Sequence, residues 1–149
     1  MNAFEERPDL PAVASTVHAN FMALAATAPG LTAQWEAHLQ TYYPGFSVEQ
    51  LSKPFTGFGY QDTSVFIDRV MSLLTQGETR QLTAFFRQVD YMLTCDDHRT
   101  AELTGMGLIE GLQNQLTASP FDHHTALDAW LLPTTKQFWD DLNDSWEEK

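Results

Sequence analysis

Basic residues are scarce in this sequence: Lys and Arg number 8 against 20 Asp and Glu, for a formal net charge of -12. Affinity for nucleic acid comes mainly from cations that neutralise phosphates, so direct nucleic-acid binding is not expected, and neither is adsorption to an anionic membrane. Cysteine is scarcer still. Cys95 stands alone, so no disulfide can close within the chain, and residues 1–10 (MNAFEERPDL) lack the basic start and apolar run of a secretory signal. A cytoplasmic location is the expectation. No apolar run approaches the ~20 residues that span a bilayer, strand-like alternation is missing, and no repeat, low-complexity tract or linker divides the chain.

What is present is material for one core. The 149 residues are 43% hydrophobic and 12% aromatic, and a chain of this size buries roughly 70% of the surface that its unfolded form exposes. No metal or disulfide is needed to hold such an interior, and no cofactor is expected. The excess of acid is uneven. Residues 101–149 carry nine acidic and two basic groups and so hold more than half of the net negative charge. Such a surface steers a basic partner, or simply keeps the protein in solution.

Apolar residues recur at helical spacing along most of the chain. Val13, Val17, Phe21, Leu24 and Ala28 form one face, closed by Pro29-Gly30, and Leu31, Trp35, His38, Leu39 and Tyr42 form the next, closed by Pro44-Gly45. Periodicity disappears over 43–62, where prolines, glycines and rings predict an irregular loop with a short helical turn at 48–51. Asp62, Thr63 and Ser64 are candidate N-caps for a third helix bearing Phe66, Ile67, Val70, Met71 and Leu74 and ended by Gly77. Leu82, Phe85, Phe86, Val89 and Leu93 mark a fourth helix. A fifth, capped by Asp96 or Asp97, carries Gly105, Gly107 and Gly111; each costs roughly 1 kcal/mol against Ala, which implies a neighbouring helix or a ligand in close approach. Ser119-Pro120 opens a sixth, and Pro133 a last helix with Phe138, Trp139, Leu142 and Trp146 inward, fraying over 145–149. The expected fold is all-α: a single domain over 1–149, a bundle of about six to seven helices built from antiparallel hairpins, with one long Gly/aromatic loop.

Reactive chemistry is thinly represented. Cys95-Asp96-Asp97-His98, and Asp122 and Asp128 around His123-His124, collect metal-ligating types without an established ligand spacing, so cap residues and surface pairs explain them and no metal is expected. Two adjacent acids raise the pKa of Cys95 and weaken it as a nucleophile. Thr104-Gly105-Met106-Gly107 lacks the lysine and remaining glycine of a phosphate loop. Carboxylates at Asp90, Glu102 and Glu110 are the remaining acid/base candidates. A polar pocket of His98, Glu102 and Glu110 would mark a small-ligand binder or enzyme, against which Glu110 is equally a carboxylate at the core edge. Catalytic residues are not assigned.

Two segments fit a binding surface. In Pro54-Phe55-Thr56-Gly57-Phe58-Gly59-Tyr60 rings alternate with glycines, so Phe55, Phe58 and Tyr60 are candidate anchors in a partner's pocket; such rings also fold inward as a plug. In the tail, Asp140, Asp141, Asp144 and Glu147 accompany Trp146, as a contact surface or a solvated helix end.

Residues 85–116, FFRQVDYMLTCDDHRTAELTGMGLIEGLQNQL, join an apolar helix, a short acidic break and a helix with a hydrophobic-Glu-small-Leu step, here Ile109-Glu110-Gly111-Leu112. This pattern resembles small acidic all-helical bacterial domains of the kind found among immunity proteins of toxin systems. The resemblance implies a non-enzymatic protein that neutralises a cognate toxin by occlusion, with Glu110 as a structural or interface group. A regulatory or adaptor domain binding another protein is the alternative. Either way the expected partner is a protein with a basic surface.

Overall fold

The computed structural model describes residues 17–45, 58–118, 127 and 130–147. Among these the secondary structure is helical throughout, and the fold is an all-α single domain around one core. The helices are α1 (Val17–Ala25), α2 (Leu31–Tyr42), α3 (Ser64–Gln76), α4 (Leu82–Thr94), α5 (His98–Glu102), α6 (Glu110–Ala118) and α7 (Pro133–Glu147). Short 3-10 turns at Tyr60–Thr63 and Thr79–Gln81 lead into α3 and α4, and a π-helical segment, Leu103–Ile109, joins α5 to α6.

Local sequence accounts for most boundaries. Gly77 sits at φ 72°, where a side chain would strain the backbone, and Glu78 N–H reaches back to the Leu73 carbonyl at 2.9 Å, the hydrogen bond that closes a helix with a left-handed glycine. The α1 backbone leaves regular helix after Ala25 and tightens into turn bonds through Ala28 before Pro29. Its expected first turn at 13–16, the helical turn at 48–51 and nearly all of the expected sixth helix lie outside the described residues. Leu127, from that sixth segment, is fully buried.

Three expectations are corrected. Residues 60–62 are not loop but 3-10 turn, because the Asp62 side chain binds the Gly59 backbone N–H at 2.8 Å and closes the turn. Asp62 consequently does not cap α3, and neither Thr63 nor Gln81 makes a side-chain cap. At the other end of the chain α7 stays helical to Glu147, so the backbone over 145–147 is not frayed. The N-terminus of α7 is capped from another helix: one Asp90 oxygen accepts the Thr135 backbone N–H at 2.8 Å and its hydroxyl at 2.9 Å. That places Asp90 in structure rather than in acid/base work.

Trp35 is the centre of the core. It is fully buried, with ring centroids of Phe66 at 5.3 Å, Phe21 at 5.7 Å and Phe58 at 6.0 Å, so α1, α2, α3 and the segment before the 3-10 turn meet around one indole. A second cluster of contacts holds α7. Gln113 on α6 donates from Nε2 to the Trp139 carbonyl at 2.9 Å, and Phe138 lies over Gly105. The polar pair Asn20 and Thr100 joins α1 to α5 inside the core at 3.1 Å, and Thr100 in turn donates to Asp97.

The three glycines of residues 103–111 are explained by close approach. A Cβ at Gly105 would stand 2.6 Å from the Phe138 ring, one at Gly107 2.8 Å from Thr63 Cγ2, and one at Gly111 would meet the end of Ile67. Thr63 cannot yield easily, being fully buried with its hydroxyl donating to the Tyr60 carbonyl at 2.7 Å. Gly107→Ala therefore overpacks at a cost of about 1–3 kcal/mol, exceeding the ~1 kcal/mol regained in helix propensity. Gly111→Ala, opposed by a flexible side-chain end, is better tolerated. Urea unfolding of the two variants should rank Gly107→Ala below Gly111→Ala in stability.

Candidate functional site

An open groove of about 670 Å³ runs between the end of α4, α5 and the first turns of α7. Leu93, Ala101, Pro133 and Phe138 give it an apolar floor, and Thr134 and Gln137 add neutral polar groups. Two carboxylates, Glu102 from α5 and Asp141 from α7, join them, and among the described residues the lining contains no cation. The sequence builds this opening from amphipathic faces that end at different points. Leu93 and Phe138 continue the apolar stripes of α4 and α7 but are only half-buried, with the small side chain of Ala101 on the α5 wall beside them.

The two carboxylates are differently engaged. Glu102 is exposed and ion-paired with Arg99 one turn earlier, while Asp141 accepts a neutral amide hydrogen from Gln137 Nε2 at 2.9 Å. Arg99 also donates from Nη2 to the Phe58 carbonyl at 2.5 Å, so the α5 wall is tied to the segment that enters the Trp35 core. Next to Asp141 in sequence, Asp140 is half-buried and paired with Lys136 at 2.8 Å. Asp144 is exposed.

Phe58 is not a displayed anchor. It is 1% exposed and packs against Trp35 and edge-on to Tyr43 at 5.2 Å, because a ring beside an aromatic core gains more from burial than from display. Tyr60 is 51% exposed at the start of its 3-10 turn. Phe55, and the side chains of Trp146 and Glu147, lie outside the described residues. The expected pocket of His98, Glu102 and Glu110 is divided: Glu102 lines the groove, while exposed His98 and half-buried Glu110 are not among its walls. Asp122, His123, His124 and Asp128 lie outside the described residues, and among those described no three His, Cys, Asp or Glu side chains converge as a metal site. Burial, with the charges of Asp97 and Asp96, pushes the Cys95 thiol pKa up, and its Sγ is occupied with the Met92 carbonyl at 3.3 Å.

A buried polar cluster that sequence reasoning missed lies where the end of α2 meets the 3-10 turn before α3. Asp62, 2% exposed, accepts from His38 Nε2 at 2.7 Å, the Tyr43 hydroxyl at 2.6 Å and the Gly59 N–H at 2.8 Å. A carboxylate only accepts, so the His38 proton resides on Nε2. The His38 ring is enclosed between Trp35 and Tyr42, at 5.5 and 4.6 Å. In a His–Asp pair the nitrogen that can act as a base is the one not bonded to the carboxylate, here Nδ1; His38 is only 8% exposed and lies between two rings, and the other donors to Asp62 hold the turn closed, so the pair serves the fold. The only sequence signal was the unusual presence of His38 in an otherwise apolar stripe.

Burial, followed by the hydrogen bond to Asp62 and its charge, holds the Tyr43 phenol well above its ordinary pKa of about 10. The unfolded chain then releases this proton first as pH rises, so the stability contributed is complete below about pH 10 and lost above it. His18 has the opposite behaviour: burial lowers its pKa below about 6.5, so the unfolded chain takes up the proton first and stability falls as pH drops below that value. Unfolding free energies measured across pH should show a weaker alkaline decline in Tyr43→Phe and a weaker acid decline in His18→Phe than in the parent chain.

The model of the family described as Domain of unknown function (DUF7674) matches residues 21–147, and the chain belongs to that family. No curated protein and no solved structure matches it.

Proposed function

We propose that this member of the family works by binding another protein through the groove between α4, α5 and α7, and that in a bacterial toxin system the bound protein is a toxin neutralised by occlusion. The observation that carries the reading is the groove itself: an open apolar floor large enough for side chains of a partner, with carboxylates from two helices and, among the described residues, no cation in its lining. In protein interfaces binding energy concentrates where large side chains of one partner fill well-packed pockets of the other, which an open apolar floor can offer. The net charge of -12 adds long-range attraction for a basic partner, raising its association rate more than its final affinity. No reacting group is required for occlusion. The resemblance of residues 85–116 to immunity-type domains supports the same role, since that stretch supplies two of the groove's three walls.

Blocking the groove tests this. Ala101→Trp fills it from a half-buried position on α5, and circular dichroism would establish that the helices survive. Affinity purification of the tagged chain from its native cells should recover a stoichiometric partner that is lost with Ala101→Trp. That partner, expressed by itself, should arrest growth, and co-expression of the parent chain but not of Ala101→Trp should restore it. A partner captured equally by both chains would place binding on a different surface, and a harmless partner would remove the toxin from the reading.

A further inference from the structure

We infer that the occupant of the groove is a segment of the partner carrying a lysine or arginine beside a large apolar side chain, with the apolar group on the floor and the cation at Asp141. The inference rests on the binding role just proposed and gives that site a ligand chemistry.

The distribution of charge on the two walls selects the ligand. Leu93, Ala101, Pro133 and Phe138 leave apolar surface open in a groove of about 670 Å³, which an aliphatic or aromatic side chain would desolvate. A neutral ligand would also cover the two carboxylates and gain nothing in return. An acidic ligand would be repelled by both. Glu102 already has Arg99, whereas Asp141 has the Gln137 amide, which satisfies a lone pair but leaves the negative charge uncompensated. Lys136, the basic residue nearest in sequence on α7, is committed to Asp140. A cation from the partner therefore finds its best electrostatic position at Asp141, and the long aliphatic stem of Lys or Arg can lie along the Phe138 side of the floor. Arginine is favoured over lysine at such a place because its planar fork can engage a carboxylate and still face a ring. Asp144, exposed one helical turn beyond Asp140, extends the negative surface along α7 without lining the groove.

Three labelled peptides of equal length test the assignment on the full chain by fluorescence anisotropy: one of alternating lysine and leucine blocks, one with glutamate replacing lysine, and one with serine replacing leucine. The lysine–leucine peptide should bind, and both others should bind at least about tenfold more weakly, since each lacks one of the two required contacts. Asp141→Asn should weaken the lysine–leucine peptide by roughly fivefold or more. Glu36→Gln, at an exposed acid on α2 outside the groove, should leave it nearly unchanged. Equal losses in Asp141→Asn and Glu36→Gln would reduce the effect to general attraction by an acidic protein and overturn the inference. Equal affinity for the glutamate peptide would overturn it as well. Should the lysine–leucine peptide fail to bind while Ala101→Trp still abolishes capture of the cellular partner, the groove remains the binding surface and only the basic occupant is wrong. If capture is also indifferent to Ala101→Trp, both readings fall.

Discussion

The long connection between α2 and α3 closes on a single buried carboxylate. Taking an ion out of water costs several kcal/mol, and Asp62 offsets that cost only by collecting three donors from three parts of the chain: His38 within α2, Tyr43 just after it, and Gly59 before the 3-10 turn. Removing any one donor leaves the others holding a partly satisfied buried charge, so His38, Tyr43 and Gly59 depend on one another. The ordering spreads further. Gly59 fixes Phe58, whose ring fills the Trp35 core and whose carbonyl receives Arg99, the residue paired with Glu102 at the groove. The Arg99 guanidinium thus links the segment next to this cluster with a wall of the groove.

Local chemistry was legible in the sequence wherever a signal needed only its neighbours. The α2 helix runs over the residues its apolar spacing and flanking glycines predict, Gly77 ends α3, and the glycines of 103–111 are places of close approach. Contacts between distant residues were not legible. Asp62 looks like a helix cap because Asp before an amphipathic run usually is one, and its pairing with His38 crosses 24 residues that sequence spacing cannot relate. For Phe58 the sequence left an outward anchor and an inward plug both open, because alternation with glycine describes how freely a ring can be placed but not which side of it holds the core; the structure has the plug. For the groove, Leu93 and Phe138 were each correctly placed on apolar faces, while the space between them depends on how distant helices pack, which spacing within one helix does not report.

In the proposed binding role, charge and apolar surface would have separate tasks. Net charge acts over a distance comparable to the screening length, about 8–10 Å in physiological salt, and would govern encounter. The groove would act at contact, where apolar area and the Asp141 carboxylate would decide which encounter persists. An acidic protein without the groove would attract basic molecules without distinguishing them, and a groove without the charge would select a partner but meet it more slowly.

The π-helical segment carries one more residue than an α-helix would need to make the same turn, and that surplus is held locally, inside the segment. Deleting one residue from 103–109 would let it relax to α-helix, the fewer residues turning through nearly the same angle, so Gln113 would still face the Trp139 carbonyl and Gly111 would still lie under Ile67. A deletion from a regular stretch of helix has no such reserve and turns whatever follows it by about 100°. The segment is consequently a slack in chain length, able to give up a residue without turning α6 away from the helices it packs on.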